Sequence, residues 1–137
     1  MDRDELIKNL ESHIKIEETA VELYKEAMDI VDHFAFRLIF EELMMDSTKH
    51  KRVFEAIKKA LVETPPSEWD LLLSHKIGKY VVPLELERHI ELEEGMITSL
   101  KKEIKMLGKG VVRRLLEHIL EDEQRHHSTL KQLITKI

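Results

Sequence analysis

The sequence predicts an all-α protein made of two long helical hairpins. The chain has 137 residues, of which 36% are charged and only 5% are aromatic. It contains just four Gly and three Pro, the residues that most often interrupt helices. Apolar residues also recur at the alternating three- and four-residue spacing that gives a helix one apolar face, so long amphipathic helices are expected.

The first hairpin is predicted over residues 4–62. Asp2 stands at the start of the pattern, where a carboxylate can cap the first free N–H groups of a helix. The helical pattern breaks near Asp32 and resumes to about Val62. Two helices joined by a short turn follow from this pattern.

A connection and a second hairpin make up the rest of the predicted domain, which spans 1–137. Residues 63–83 contain all three prolines, and Ser67 is expected to begin a short helix there. The second hairpin is predicted over 84–137, with a break in the segment 108–110 that holds two glycines. A connection of about 20 residues is long enough to run along a helix bundle, so we expect it to be a crossover.

An internal duplication relates the two hairpins, which align without a gap when Leu10 is placed on Leu86. Over 10–18 against 86–94, six of nine residues are identical. The same alignment pairs residues of the later helices: Arg37 with Arg113, Glu41 with Glu117, Asp46 with Asp122 and His50 with His126. We interpret the chain as a duplicated helical hairpin that packs into a four-helix bundle.

Composition and charge exclude several classes of function. The net charge is −5 and no basic stripe is present, so a nucleic-acid partner is not expected. The chain has no Cys, which rules out disulfides, thiolate nucleophiles, iron–sulfur clusters and Cys-ligated zinc sites. The first residues, MDRDELIKNL, have no apolar signal core, and no apolar run is long enough for a membrane span. We therefore expect no membrane partner and a cytoplasmic location.

Polar residues interrupt the apolar seam, which is the stripe of alternately spaced apolar residues along each predicted helix. These residues lie near the middle of the helices and are Glu17, Ser47, His50, Glu93, Glu123 and His126. Burying an unpaired carboxylate costs several kcal/mol, so three of them require compensation. Two imidazoles could pair with them, but the same oxygen and nitrogen donors also suit Fe, Mn or Zn.

This constellation resembles the ferritin-like di-iron carboxylate superfamily, most closely its small rubrerythrin-like members. Their pattern is one Glu from each of two helices and a Glu-x-x-His from each of the other two. Glu17 and Glu93 match the single-Glu positions, and Glu123 with His126 matches one Glu-x-x-His. The resemblance implies a ferritin-like bundle that binds Fe or Mn and either oxidises Fe(II) or reduces peroxide or O₂. It also implies a homodimer.

The second helix departs from the family pattern. Ser47 stands where a Glu that bridges two metals is expected, and only His50 of that motif remains. One ion and two ions therefore both stay open, as does a single zinc or iron site. Asp46 is a weaker candidate to replace the missing Glu, because a residue four before His50 lies about 40° from it around the helix. Without Cys, the chain also lacks the rubredoxin-type iron site of rubrerythrins, so redox turnover would need an external electron donor.

Two hypotheses of function follow. The first is a metal-binding oxidoreductase of the peroxidase or ferroxidase type, whose ligands are Glu17, His50, Glu93, Glu123 and His126. The second is a metal-free, degenerate bundle that serves as a structural or interaction module, and Ser47 is its main support.

Residues beside the candidate ligands are expected to have structural roles. Glu18 and Glu94 lie about 100° around their helices from the seam, so we predict interhelical salt bridges for them rather than metal ligation. His13 and His89 lie one turn before Glu residues of the seam. They are expected to be packing or surface residues, with hydrogen-bond partners of the ligands or further ligands as the alternatives. His127 is expected to point outward.

Overall fold

Five α-helices account for most of the chain that the computed structural model describes, residues 2–74, 80–81 and 84–135. They are α1 (Arg3–Ile30), α2 (Phe34–Glu63), α3 (Trp69–Ser74), α4 (Leu84–Met106) and α5 (Val111–Leu133). The predicted all-α fold class with two long hairpins is confirmed. Parts of the predicted connection, 75–79 and 82–83, and the last two residues of the predicted second hairpin, 136–137, lie outside the described residues.

Each hairpin forms its own compact unit. The first unit is Met1–His75 and contains α1 and α2, and the second is Lys76–Ile137 and contains α4 and α5. The division falls within the predicted connection at 63–83. That both hairpins form a single domain stays a prediction. None of the described helices carries an apolar stretch that could span a bilayer.

Side-chain caps define the helix starts of the first hairpin. The Asp2 carboxylate accepts a hydrogen bond from the Asp4 backbone N–H at 3.3 Å and caps α1, as the sequence predicts. The turn near Asp32 is also confirmed, but the cap of α2 is a histidine. Nδ1 of His33 accepts a hydrogen bond from the Ala35 N–H at 3.1 Å. Both caps satisfy N–H groups that have no partner within the helix.

The described part of the connection is held against the start of α1. A 3₁₀ turn at Pro66–Glu68 leads into α3, so the predicted short helix is confirmed and begins at the prolines. The Trp69 indole N–H donates to the Thr64 carbonyl at 2.6 Å. The guanidinium of Arg3 lies 4.8 Å from the Trp69 ring centroid and pairs with Asp70 at 2.5 Å. A cation–π contact and an ion pair thus join the two ends of the first unit.

The second hairpin turns at the predicted glycines but ends differently from the prediction. Between α4 and α5 lie residues 107–110, which include both glycines of the predicted break. The helical pattern predicts a helix that continues to the C-terminus, whereas α5 stops at Leu133. Ile134–Thr135 (β2) instead pairs in parallel with Tyr80–Val81 (β1). Both residues of β2 are β-branched, which favours an extended backbone.

The predicted seam is confirmed in the first helix of each hairpin. In α1 every predicted seam residue is at least half-buried, including Leu10 and the polar Glu17. In α4 the predicted seam consists of Leu86, Ile90, Glu93, Ile97, Leu100 and Ile104. These residues are likewise at least half-buried, and Glu93, Leu100 and Ile104 are buried. A glutamate therefore occupies an interior position at the middle of each of these helices.

The second helices depart from the predicted seam at several positions, and the histidines are the ones that bear on the site. In α2 the imidazole of His50 is exposed, and Lys51 is half-buried in its place. In α5 His126 is exposed and His127 is half-buried. A helix has 3.6 residues per turn, so a step of three or of four keeps a residue on one side, and the sequence could not decide between them. The departure occurs at duplicated positions, since the alignment of the two hairpins pairs Lys51 with His127.

Leu61 of α2 provides a test of the first hairpin's core. Its side chain is fully buried, so Leu61→Ala is expected to lower the free energy of unfolding by about 2–5 kcal/mol through lost apolar contacts and a residual cavity. Urea denaturation followed by circular dichroism measures this change. The neighbouring Val62 is 62% exposed, and Val62→Ala should change stability by less than about 0.5 kcal/mol. Equal losses in both variants would contradict the packing described.

Candidate metal centre

The first hairpin brings Glu17 of α1 next to His50 of α2. Oε2 of Glu17 lies 3.4 Å from Nδ1 of His50. The Glu17 side chain is 18% exposed and that of His50 is 51% exposed. Oε2 of Glu17 is itself buried and has no hydrogen-bond partner among the described residues. This carboxylate is largely desolvated, and the imidazole beside it could provide a nitrogen ligand to a shared metal ion.

The residues that precede His50 in α2 are a buried serine and an aspartate with an ion pair. Ser47 is buried one turn before His50, and its hydroxyl carries no negative charge. Asp46 is half-buried, and its Oδ1 lies 3.4 Å from Nζ of Lys49. Because an ammonium competes with any metal ion for the same oxygen, the geometry favours Asp46 as an ion-pair residue. Its weaker candidacy as a ligand stays a prediction.

The second hairpin buries Glu93 of α4 against a histidine of the same helix. Oε1 of Glu93 lies 3.0 Å from Nε2 of His89, four residues earlier. The Glu93 side chain is only 8% exposed. Its other oxygen, Oε2, is buried without a hydrogen-bond partner among the described residues. The two single-Glu positions of the two hairpins are thus alike in burial and differ in which histidine they meet.

Glu123 and His126 lie one turn apart on α5. Glu123 is half-buried and His126 is exposed. A spacing of three residues places them on the same side of the helix. Their ligation of a metal stays a prediction.

Glu18 and Glu94 form the interhelical salt bridges predicted for them. Glu18 pairs with Lys51 at 3.2 Å. Glu94 pairs with Lys131 at 3.2 Å and with His127 at 3.0 Å. The Lys131 ammonium, by hydrogen bond and by charge, lowers the pKa of the Glu94 carboxyl, and His127 adds to this effect. These carboxylates therefore carry their own compensating cations and have no need of a metal.

The outward orientation expected for His127 is wrong. Its side chain is 12% exposed and its Nε2 contacts Glu94 across the hairpin. The internal duplication contains the signal that would have revealed this contact. The alignment of the two hairpins pairs His127 with Lys51 and Glu94 with Glu18, and Lys51 and Glu18 also form an interhelical pair.

The distances in both carboxylate–imidazole pairs suit metal chelation. Two donors that each lie about 2.1 Å from one ion are about 3.0 Å apart in octahedral coordination and about 3.4 Å apart in tetrahedral coordination. The observed separations are 3.4 Å for Glu17 and His50 and 3.0 Å for Glu93 and His89. Both carboxylates also have a buried oxygen without a hydrogen bond among the described residues. The residues present thus fit a hard divalent cation in donor chemistry, spacing and need for charge compensation.

A comparison with known families gives the same assignment. The rubrerythrin family model matches residues 8–134, which is nearly the whole chain. The chain belongs to the rubrerythrin family. This is the ferritin-like di-iron carboxylate family, so the resemblance seen in the interrupted seam is confirmed. The chain matches no curated protein and no solved structure.

Glu93 provides a test of the cost of the buried charge. In protein freed of metal by a chelator, Glu93→Gln is expected to raise the free energy of unfolding by about 1–3 kcal/mol, because it removes a desolvated negative charge. Urea denaturation at neutral pH measures the difference. Glu91→Gln, at an exposed position of the same helix, is the matched control and should have little effect. A loss of stability specific to Glu93→Gln would show that the charge is already compensated within the protein.

Proposed function

We propose that this rubrerythrin-family chain is a redox protein that binds Fe or Mn. The proposed ligands are Glu17, His50, Glu93, Glu123 and His126. The observation that carries the proposal is the pair of buried carboxylates, Glu17 and Glu93, each with an oxygen that has no hydrogen bond among the described residues and each at chelating distance from an imidazole. A structural role alone leaves the desolvation of these groups without compensation.

Bound Fe or Mn would supply the redox chemistry, either oxidation of Fe(II) or reduction of peroxide or O₂. The residues would supply the charge and the donor atoms. Glu17 and Glu93 would each supply negative charge and a hard oxygen, and His50 would add a nitrogen donor beside Glu17 that is half exposed to solvent. Peroxide and O₂ are small, so they could reach the site through this exposed side.

The negative charge of the candidate ligands bears on how many metal ions the proposed site would hold. The three candidate carboxylates neutralise one divalent cation with one negative charge in excess, and they fall one charge short of neutralising two. Ser47, buried in place of the bridging Glu, is the residue that sets this limit. Zinc in a single-ion site would use the same donors without redox chemistry.

The proposed reaction would need an electron donor outside the proposed metal site. The chain contains no Cys, so it cannot hold a rubredoxin-type iron site. An external reductant would therefore return the site to its reduced state after each turnover. A homodimer and a cytoplasmic location complete this proposal.

The metal-free module remains the second candidate function. It is favoured by the burial of Ser47 at the position of a metal-bridging Glu and by the ion pair of Asp46 with Lys49. In this case, both hairpins would keep the duplicated polar residues without using them for chemistry.

Metal analysis of neighbouring glutamates separates these functions. Protein purified without chelator and loaded anaerobically with Fe²⁺ is expected to retain metal, and Glu17→Gln should weaken its binding by about 10-fold or more. Glu18→Gln is the matched control, because Glu18 pairs with Lys51 and not with the proposed site. Elemental analysis and isothermal titration calorimetry with Mn²⁺ measure both variants.

The same preparation tests the proposed chemistry. Fe²⁺-loaded protein should consume hydrogen peroxide faster than the Glu17→Gln variant when an external reductant is present. A wild-type chain that holds no metal after anaerobic Fe²⁺ loading contradicts the metal-binding proposal and favours the structural module. Metal binding without peroxide or O₂ consumption contradicts the redox part alone.

Restoring the family pattern at Ser47 tests the limit on the number of ions. Ser47→Glu is expected to raise the bound Mn²⁺ from about one ion to about two ions per chain, because it completes the second Glu-x-x-His. Thr48→Glu adds the same charge at the next, exposed position and should leave the ratio unchanged. Equal ratios in wild type and Ser47→Glu would show that another feature limits the site.

A further inference from the structure

His89 of α4 is a histidine that the proposed ligand set does not use. Its Nε2 lies 3.0 Å from Oε1 of Glu93. The two residues are four apart and therefore share one face of the helix. The side chain of Glu93 is 8% exposed, whereas that of His89 is 59% exposed. The pair joins a buried carboxylate to an imidazole that solvent reaches.

The contact with His89 does not by itself account for the burial of Glu93. A side-chain pair of this spacing on a helix contributes little to stability. Desolvating a carboxylate costs much more free energy than such a pair returns, even after the protein relaxes. The second oxygen of Glu93 also stays buried without a hydrogen bond among the described residues. A cation held by both side chains would compensate the carboxylate far more fully.

The equivalent histidine of the first hairpin is engaged elsewhere. His13 corresponds to His89 in the alignment of the two hairpins, and its ring packs against Phe54 with the centroids 5.2 Å apart. The residue that corresponds to Phe54 in the second hairpin is Leu130, which has no ring. The aromatic contact that holds His13 therefore has no counterpart for His89.

Both hairpins place an imidazole beside a glutamate of their first helix, but the histidine lies on a different helix in each case. Glu17 meets His50, which lies on the neighbouring helix, at 3.4 Å. Glu93 meets His89, which lies on its own helix, at 3.0 Å. The second distance equals that of two neighbouring donors at about 2.1 Å from an octahedral ion. Two ligands four residues apart on one helix also chelate a metal in His-Glu-x-x-His helices.

The geometry points to His89 as an additional metal ligand, acting with Glu93 of the second hairpin on Fe or Mn. This inference rests on the proposed metal-binding function. His89 would supply a nitrogen donor. The chain has one oxygen donor fewer than the family pattern, because Ser47 stands in place of a Glu. The exposure of its ring also provides the ion with an entry path from solvent to the buried oxygens of Glu93.

Variants at the two duplicated histidines test this inference, with Co²⁺ as the probe. His89→Gln should weaken Co²⁺ binding by about 10-fold or more, and His13→Gln should change it by less than about twofold. Isothermal titration calorimetry measures both affinities. Proton NMR of the Co²⁺ protein then counts metal-bound imidazoles, because their exchangeable N–H protons shift far outside the normal range. His89→Gln should lose one such signal, and His13→Gln should lose none.

The outcomes separate this inference from the function on which it rests. Wild-type affinity and an unchanged number of shifted imidazole signals in His89→Gln overturn the inference alone. Weaker binding with an unchanged number of signals also overturns it, because His89 would then only position Glu93. A wild-type chain that binds neither Co²⁺ nor Fe²⁺ overturns the proposed function as well. Circular dichroism is expected to be unchanged in both variants, since both side chains are exposed.

Discussion

The burial of negative charge is the constraint on which the rest of this structure depends. Glu17 and Glu93 occupy positions where a helical hairpin normally places a large apolar side chain, and each keeps a buried oxygen without a hydrogen bond among the described residues. The carboxylates one residue later, Glu18 and Glu94, are exposed and lie in ordinary ion pairs. The chain thus places two adjacent glutamates in opposite environments, and it does so twice. The desolvation of the inner carboxylates lowers the stability of both hairpins to the extent that their charge is not compensated.

The kind of nitrogen group beside each carboxylate distinguishes structural residues from candidate ligands. Ammonium or guanidinium groups lie next to several acidic side chains, as in the pairs Asp46 with Lys49, Glu94 with Lys131 and Asp122 with Arg125. Glu94 and Asp122 contact an imidazole as well, whereas Glu17 and Glu93 contact an imidazole and, among the described residues, no ammonium or guanidinium group. A neutral imidazole offers a lone pair to a metal, whereas an ammonium or guanidinium group can only compete with the metal. Neither length nor net charge of the chain conveys this distinction, which depends on individual contacts.

Most of the fold could be predicted from the sequence, and the candidate site only in part. Helical periodicity and sparse Gly and Pro predicted both hairpins, their turns and the inward glutamates of α1 and α4. The same periodicity misplaced His127, because steps of three and four residues are both compatible with a helix and adjacent histidines satisfy either. The sequence left open whether His89 contacts Glu93, since His13 has the same local spacing and packs on Phe54 instead. Such differences depend on which side chain the neighbouring helix presents.

Fusion of two hairpins in one chain has a consequence for how this protein can evolve. In a symmetric assembly of identical single-hairpin chains, any substitution appears in every copy, so a lost ligand would be lost twice. Here Ser47 stands in one half, while Glu123, at the aligned position of the other half, matches the family pattern. Each half can therefore drift separately, and a ligand removed in one can be offset by a residue recruited in its twin. In a duplicated chain, the two equivalent positions can therefore be substituted independently, which a symmetric assembly of identical chains does not allow.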